Sequence, residues 1–169
     1  MENSVLERIK KTSIRGRMAL GLTCLQGIFN KFQIGEPRMN DLIGKLWEFT
    51  SSNHLDAWEG EVRKWEPEQL VLNLTQPSLD NETRELIEVY FRFPAAVMVA
   101  IQAVIDIGTS NIYGGTGEFS IESFTPTIKI LNITQVCGLA LPNLEKFEKS
   151  KFTEFHGWGD MQSKSFFGE

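Results

Sequence analysis

Cysteine and histidine are scarce in this chain, and their spacing excludes several classes of site. Cys24 and Cys137 are the only cysteines, and His54 and His156 are the only histidines. None of them stands in the CxxC or HxxxH spacing that zinc sites use. We therefore predict no metal site and no disulfide framework. We expect two reduced thiols in the core of a cytoplasmic protein.

A long hydrophobic run and an excess of basic residues are also missing. The most apolar run, residues 93–105, is too short to cross a bilayer and predicts a buried helix. Residues 1–17 lack the apolar stretch and the cleavage site of a secretory signal. The net charge of -5 gives no general basic face for nucleic acid. The expected protein is soluble and cytoplasmic, with neither a membrane nor a nucleic acid as its partner.

No catalytic signature stands in the sequence. The glycine-rich segment 108–120 lacks the Gly-Lys-Ser/Thr ending that grips phosphate, and no G-x-S-x-G elbow is present. Carboxylates are numerous in residues 59–68, but a solvated acidic face explains them better than paired acid and base catalysis. We therefore assign no catalytic residue and no cofactor, and a protein without enzymatic activity is the favoured interpretation.

Apolar residues recur at helical spacing through most of the chain. The first long stripe follows a candidate N-cap at Ser13 and advances in steps of three and four. Its members are Ile14, Met18, Leu22, Leu25, Phe29 and Phe32. Gly16, Gly21 and Gly27 lie within this helix. They either allow a neighbouring helix to approach closely or break the helix near Gly16.

Proline, serine and acidic residues mark where the next helices begin. Pro37 lies in the first turn of one helix, because its missing N–H costs nothing there. Ser52 or Asn53 is the expected cap of a helix over residues 55–65. Asp80 opens another helix, whose acidic first turn suits the positive end of the helix dipole.

The second half of the chain contains the most apolar helix. Pro94 predicts a break between two helices. Residues 95–107, which follow it, are apolar on nearly every side, and this pattern is typical of a helix that is buried on all sides. Thr125 and Pro126 indicate the start of a late helix, and residues 144–147 indicate a last short one. We expect residues 95–107 to form the central helix.

Two segments fit this pattern less clearly. Residues 68–79 are predicted as a loop or a short helical turn, and residues 108–120 as a glycine-rich loop or a small hairpin. No repeat or linker divides the chain. The prediction is an all-α fold in which residues 1–169 form a single-domain helical bundle or array of about six to eight helices.

Residues 154–167 combine many aromatic side chains with two glycines. The aromatics of this segment and its approach are Phe152, Phe155, Trp158, Phe166 and Phe167. A free tail is polar, so we predict a structural strap that closes the core, with Gly157 and Gly159 reversing the chain. His156 is expected to bond the local backbone or Asp160. A partner-binding aromatic patch is the alternative.

Charge is segregated along the chain. Residues 1–45 carry eight basic and four acidic side chains, whereas residues 56–88 carry nine acidic and three basic ones. One interpretation is a solvated pair of helices that lies against the basic N-terminal part. The other is an acidic recognition surface, because complementary fields orient and speed the docking of a basic partner.

The leading functional hypothesis is a non-catalytic protein-binding domain that masks a basic partner protein. An immunity protein that neutralises a bacterial toxin fits this description. The candidate partner-binding residues are Trp58, Glu59, Glu61, Trp65, Glu66, Glu68, Glu82 and Glu85. Aromatic anchors within a charged rim are typical of tight interfaces. The spacing of the two tryptophans with Leu55 and Val62 is equally that of core residues.

Two alternatives belong to other classes of function. A small-ligand-binding protein or small enzyme would have its pocket between residues 108–120 and 154–160, with Tyr113, His156 and Asp160 as convergent polar groups. An oligomeric scaffold or adaptor would use the glycines of the first long helix for close packing. The sequence leaves the oligomeric state open.

Overall fold

A computed structural model describes residues 2–74 and 79–168, and α-helices dominate it. The helices are α1 (Asn3–Lys11), α2 (Ile14–Lys31), α3 (Pro37–Glu48), α4 (Leu55–Val62), α5 (Pro67–Asn73), α6 (Asn81–Tyr90), α7 (Ala95–Thr109), α8 (Ile121–Val136) and α9 (Glu145–Glu148). The described residues form no strand, apart from an isolated bridge between Thr12 and Lys151. The all-α prediction is therefore confirmed, and α1 is a helix that the sequence analysis did not predict.

The helix α2 begins as its sequence predicts and continues without a break. The side chain of Ser13 caps it by accepting a hydrogen bond from the N–H of Gly16 at 3.0 Å. A Cβ at Gly21 would lie 2.8 Å from Cδ1 of Ile107, so the absence of a side chain lets α7 approach. The glycines of α2 thus serve packing within the chain.

The centre of the fold is the contact of α7 with α2 and α8, which pack more extensively than the other helices. Val97, Ala100, Ile101 and Val104 of α7 are fully buried. The sequence of residues 95–107 is apolar on nearly every side and therefore predicts a central, buried helix. The burial of these side chains confirms that prediction. The remaining helices surround these three and extend the same core.

One predicted helix start and one predicted helix cap are wrong. The late helix α8 begins at Ile121, after Ser120 in the left-handed conformation, so Pro126 lies inside the helix. Its ring removes a single hydrogen bond to the preceding turn, and the buried helix continues past it. Neither Ser52 nor Asn53 caps α4. The side chain of Ser52 instead accepts from the N–H of His54, which is the residue before the helix.

The short helix α5 occupies the segment predicted as a loop or a short helical turn. Pro67 is its first residue, which is the position where proline costs no hydrogen bond. Residues 75–78 of that predicted segment lie outside the described residues. The glycine-rich connection from residue 110 to residue 120 is irregular, as the loop prediction requires.

A buried arginine joins the beginning of α2 to two other parts of the chain. Arg17 is fully buried and donates five hydrogen bonds. The acceptors are the carbonyl oxygens of Ile9, Lys10, Phe119 and Ser120 and the hydroxyl of Ser123. Burial lowers the pKa of Arg17 to about 10, and the side chain still titrates far above neutral pH. This contact fixes the end of α1 and the start of α8.

The C-terminal segment lies along the beginning of α2, as a strap would. The N–H of Phe152 donates to the carbonyl of Lys11, and the N–H of Gln162 donates to that of Thr50, both at 2.8 Å. Phe167 is fully buried and stacks on Phe147 with ring centroids 6.2 Å apart. Phe155 is the exception, because 67% of its surface is exposed.

Both cysteines are buried free thiols. Cys24 lies on α2, and burial raises the pKa of its thiol to about 11. Cys137 follows the end of α8. None of the described helices combines the length and the apolarity that crossing a membrane requires.

Replacing Phe167 tests whether the C-terminal segment stabilises the fold. Phe167→Ala should lower the free energy of unfolding by about 3–5 kcal/mol, because it leaves a cavity beside Phe147. The exposed Phe155 offers a matched control, and Phe155→Ala should change stability by less than about 0.5 kcal/mol. Denaturation in urea measures both. Equal stability of the two variants would contradict the strap.

Thiol labelling tests the burial of the cysteines. Because the thiolate is the reactive species, Cys24 with its raised pKa should react slowly with a thiol reagent at neutral pH. Cys137 should also react slowly, since its side chain is buried. Both should label at once in denaturant, which serves as the control. Rapid labelling of either cysteine in the native protein would show that the thiol is accessible.

Candidate functional site

The eight candidate partner-binding residues divide into a buried half and an exposed half. Trp58, Glu59, Trp65 and Glu66 are buried. Glu61, Glu68, Glu82 and Glu85 are exposed. The contact role inferred for the first four is therefore corrected, because these side chains pack inside the domain and present almost no surface to a partner.

The two tryptophans are core residues. The indole N–H of Trp58 donates to the carbonyl of Lys45 at 2.8 Å, and its ring lies 4.8 Å from that of Phe49. The carbonyl of Trp65 accepts from the buried hydroxyl of Tyr90 at 2.8 Å. Each tryptophan thus connects two helical segments. Helical spacing alone could not show whether their face pointed inward or outward.

The buried glutamates have partners within their own segment. Glu59 forms an ion pair with Arg63, which also contacts Glu66 at 3.2 Å. The side chain of Tyr113 bonds to Glu59, and this contact raises the pKa of Tyr113. Burial raises the pKa of Glu66. Glu59 and Glu66 are therefore held inside the domain and do not form an acidic surface.

Three of the exposed glutamates form ion pairs within the chain. Glu61 contacts Lys45 at 2.5 Å, and Glu85 contacts Arg38. Glu82 lies 3.3 Å from Lys64. The first two pairs join the acidic segment to the basic N-terminal part. The charge segregation therefore corresponds largely to the first interpretation, in which the two segments lie against each other.

An exposed apolar surface lies where α5 meets α6 and α7, and the sequence analysis did not identify it. Its members are Val71, Leu74, Phe91, Met98 and Val99, and we call it the α5–α7 surface. The exposed fractions of Val71, Leu74, Phe91 and Val99 are 58%, 45%, 72% and 39%. Two adjoining grooves run across it, and Pro67, Val71 and Met98 line both.

The composition of α5 explains why this surface is apolar. Leu70 faces the core, and Val71 lies one residue further around the helix, on the outside. A helix that is apolar on several sides is usually buried on all of them, yet α5 covers the domain from outside. The run "LVLNL" at residues 70–74 is the sequence signal of this surface, although a loop or a short helical turn was the prediction there.

Polar residues border the α5–α7 surface. Glu68 and Lys129 line one of its grooves, and Glu88 is exposed on α6. Beneath them, the side chain of Gln102 donates to Asp106 at 2.8 Å. Partial burial raises the pKa of the Asp106 carboxyl.

A separate cavity of about 260 Å³ lies beside the C-terminal segment, and we call it the Arg15 cavity. Its lining residues are Arg15, Asn53, Leu55, Phe155, Trp158, Gly159, Asp160 and Met161. The pocket predicted from the sequence lay between residues 108–120 and 154–160, whereas the Arg15 cavity has Phe155 and residues 158–161 on one side and Asn53 and Leu55 on the other.

The remaining polar groups of the predicted pocket lie elsewhere. Tyr113 is exposed and contacts Glu59, and His156 is exposed beside the Arg15 cavity without lining it. The carbonyl of His156 accepts from the hydroxyl of Thr116 at 2.5 Å, which is where the glycine-rich loop meets the C-terminal turn. In residues 2–74 and 79–168, no group of three His, Cys, Asp or Glu side chains could hold a metal ion.

The pH dependence of stability tests the burial of Asp106. Between the ordinary pKa of aspartate, about 3.9, and the raised pKa, the folded protein binds more protons than the unfolded chain. The free energy of unfolding therefore falls as pH rises through that window. Asp106→Asn keeps an acceptor for Gln102 and removes the charge, so it should raise the Tm at neutral pH and lose this advantage in acid.

Asp80 provides a control of opposite sign. Its bonds to Thr83 lower its pKa, so its charge stabilises the fold above the ordinary pKa. Asp80→Asn should therefore lower the Tm slightly at neutral pH and have less effect in acid. Thermal unfolding across a pH series measures both variants. A lower Tm for Asp106→Asn at neutral pH would contradict the stated cost of the buried charge.

Comparison with known proteins gives no relative from which a role could be transferred. No protein-family model, no curated protein and no solved structure matches the chain. The function must therefore be argued from the α5–α7 surface, the Arg15 cavity and their charges.

Proposed function

We propose that this protein is a non-catalytic protein-binding domain that masks a basic partner, as an immunity protein masks a bacterial toxin. The observation that carries the proposal is the α5–α7 surface, where Phe91 is 72% exposed among aliphatic neighbours. Contiguous exposed apolar patches with polar borders are typical of protein interaction sites. Aromatic side chains and methionine are enriched at the centres of such interfaces.

The charges around this surface favour a basic partner. Glu68 lines one groove and Glu88 lies three residues before Phe91; both are exposed, and none of the ion pairs among the described residues involves either of them. Lys129 lines one groove and interacts through space with the carboxylate of Asp106. With a net charge of -5 on the chain, the field at this surface attracts a partner rich in lysine and arginine.

The contact site of this proposal differs from the one predicted from the sequence. Of the eight residues inferred there, Glu68 alone borders the α5–α7 surface. The scaffold alternative loses its original argument, because Gly21 packs against α7 of the same chain. A second copy of the chain remains an alternative occupant of the surface, and the experiment below distinguishes it from a basic partner.

The test is partner capture with a variant that disrupts the apolar surface. Phe91→Asp should leave the helical content and the Tm nearly unchanged, since substitutions at exposed sites usually shift stability by less than about 0.5 kcal/mol. It should abolish capture of a basic protein from extracts of the cells that encode the chain, because it places a charge at the centre of the interface.

Ile121→Asp is the matched control, since Ile121 is also an exposed apolar residue but lines neither groove. It should retain the captured protein. If no captured basic protein depends on Phe91, the proposal is wrong. If the wild type is a dimer that Phe91→Asp converts to a monomer, the surface joins two copies and the scaffold alternative is correct.

The captured protein then allows a test of the charges. Reversing Glu68 and Glu88 to lysine should slow its association, and salt should slow the wild type similarly, since the Debye length falls from ~10 Å at 0.1 M to ~3 Å at 1 M. Reversing the exposed Glu118, which lines neither groove, controls for net charge when it is compared with the reversal of Glu68 alone or of Glu88 alone. An association rate that changes neither with salt nor on reversal of Glu68 and Glu88 would contradict a basic partner.

A further inference from the structure

The helix α5 buries little of its own surface. Of its seven described residues, Pro67 and Leu70 alone are buried. Val71 and Leu72 are exposed at 58% and 62%. Isolated helices of fewer than about 12–15 residues are marginal in water, so a helix of this length does not hold its shape by itself. The position of α5 therefore depends on its contacts with the rest of the chain.

The first turn of α5 is capped from another helix. Pro67 has no N–H to donate, and the side chain of Glu66, at the N-cap position, makes no capping hydrogen bond. The N–H of Glu68 instead donates to the side-chain oxygen of Gln102, which lies on α7, at 3.1 Å. The first N–H groups of a helix have no acceptor within the helix. Gln102 thus takes the role that an N-cap side chain ordinarily has.

Asp106 fixes the orientation of the Gln102 amide. The amide nitrogen of Gln102 donates to the carboxylate of Asp106 at 2.8 Å, one turn further along α7. A carboxylate accepts hydrogen bonds and a backbone N–H donates them, so the amide oxygen must face Glu68 and the amide nitrogen Asp106. Because Gln102 is only 5% exposed, water does not readily replace either bond when it is lost.

Gln102 also borders the grooves of the α5–α7 surface. It lines the larger groove together with Met98 and Val99 of its own helix and with Pro67 and Val71 of α5. Pro67 and Val71 line the smaller groove as well. A displacement of α5 would therefore change both grooves at once.

We propose that Gln102 is a positioning residue of the α5–α7 surface: it caps α5 from α7, and binding of the basic partner requires this contact. Gln102 contributes to binding by keeping Pro67 and Val71 in place. The statement about binding rests on the proposed function, whereas the statement about α5 does not.

Hydrogen exchange measures the attachment of α5 without a partner. Gln102→Met keeps the length of the side chain and removes both polar atoms. The amides of Glu68 and Leu70, which are hydrogen-bonded in the fold, should then exchange at least about fivefold faster, as the loss of a cap implies. Thr127→Val is the matched control, because it removes a buried hydrogen bond within α8, to the carbonyl of Ser123. It should leave exchange in α5 unchanged.

Interchanging the two side-chain groups tests the pairing of Gln102 with Asp106. Gln102→Glu alone places two carboxylates side by side, so exchange at Glu68 should accelerate. Asp106→Asn alone keeps an acceptor for Gln102 and should leave exchange unchanged. In the double variant, the new carboxylate accepts both from the N–H of Glu68 and from the new amide, so slow exchange should return. A general loss of packing would show no such rescue.

Binding of the captured basic protein tests the link to function. Gln102→Met should raise its Kd at least about twofold, because apparent affinity falls with the fraction of molecules in which α5 keeps its position. Thr127→Val and the double variant should retain the Kd of the wild type.

The two measurements separate this inference from the proposed function. Faster exchange in Gln102→Met, its reversal in the double variant and weaker binding of the captured protein together support the inference. Unchanged exchange at Glu68 and Leu70 would overturn it, as would a wild-type Kd in a variant whose α5 exchanges faster. If the wild type captures no basic protein, the proposed function is wrong, and exchange in α5 alone decides whether Gln102 holds that helix.

Discussion

The fold depends on the burial of Arg17 at the start of α2. Its five donors are matched by five uncharged acceptors from the end of α1 and the start of α8. Burying a cation costs several kcal/mol, and hydrogen bonds to a charged group return about 1.5–3 kcal/mol each, so the arrangement is stable only when all partners are present. The rings of Phe124 and Phe152 cover the guanidinium. One side chain thereby specifies how the junction of α1 and α2 meets the start of α8.

The same end of α2 positions the C-terminal segment. Ser13 both caps α2 and contacts the hydroxyl of Ser150 at 2.6 Å. Gly159 packs against both serines, at a place where a side chain would collide with either. The N–H of Arg15 donates to the carbonyl of Trp158 at 3.1 Å. The strap and the Arg15 cavity are therefore consequences of one crowded helix start.

Local signals in the sequence were sufficient for much of the helical architecture. Ser13, Pro37 and Asp80 mark helix starts through chemistry that is complete within one turn, and α7 is apolar on nearly every side. Pro126 suggested the wrong helix start, because tertiary packing can offset the cost of a proline inside a helix, which is one lost hydrogen bond and a clash of its ring with the preceding turn. The roles of Trp58 and Arg17 depend on segments far away in sequence, and periodicity carries no information about those partners.

The candidate sites were harder to predict, because they consist of groups that remain unsatisfied after folding. Glu61 and Glu85 resemble Glu68 in sequence, yet they neutralise Lys45 and Arg38 and so belong to the fold. The groups that folding leaves exposed or without a partner are others: the ring of Phe91, the aliphatic residues of α5 and the Nε–H of Arg15.

An exposed phenylalanine contributes little to the free energy of folding, since that contribution scales with the apolar area removed from water. The isolated domain therefore gives no reason for the α5–α7 surface to be apolar. Binding to another molecule would explain the apolar surface, because docking would bury the side chains that folding leaves in solvent.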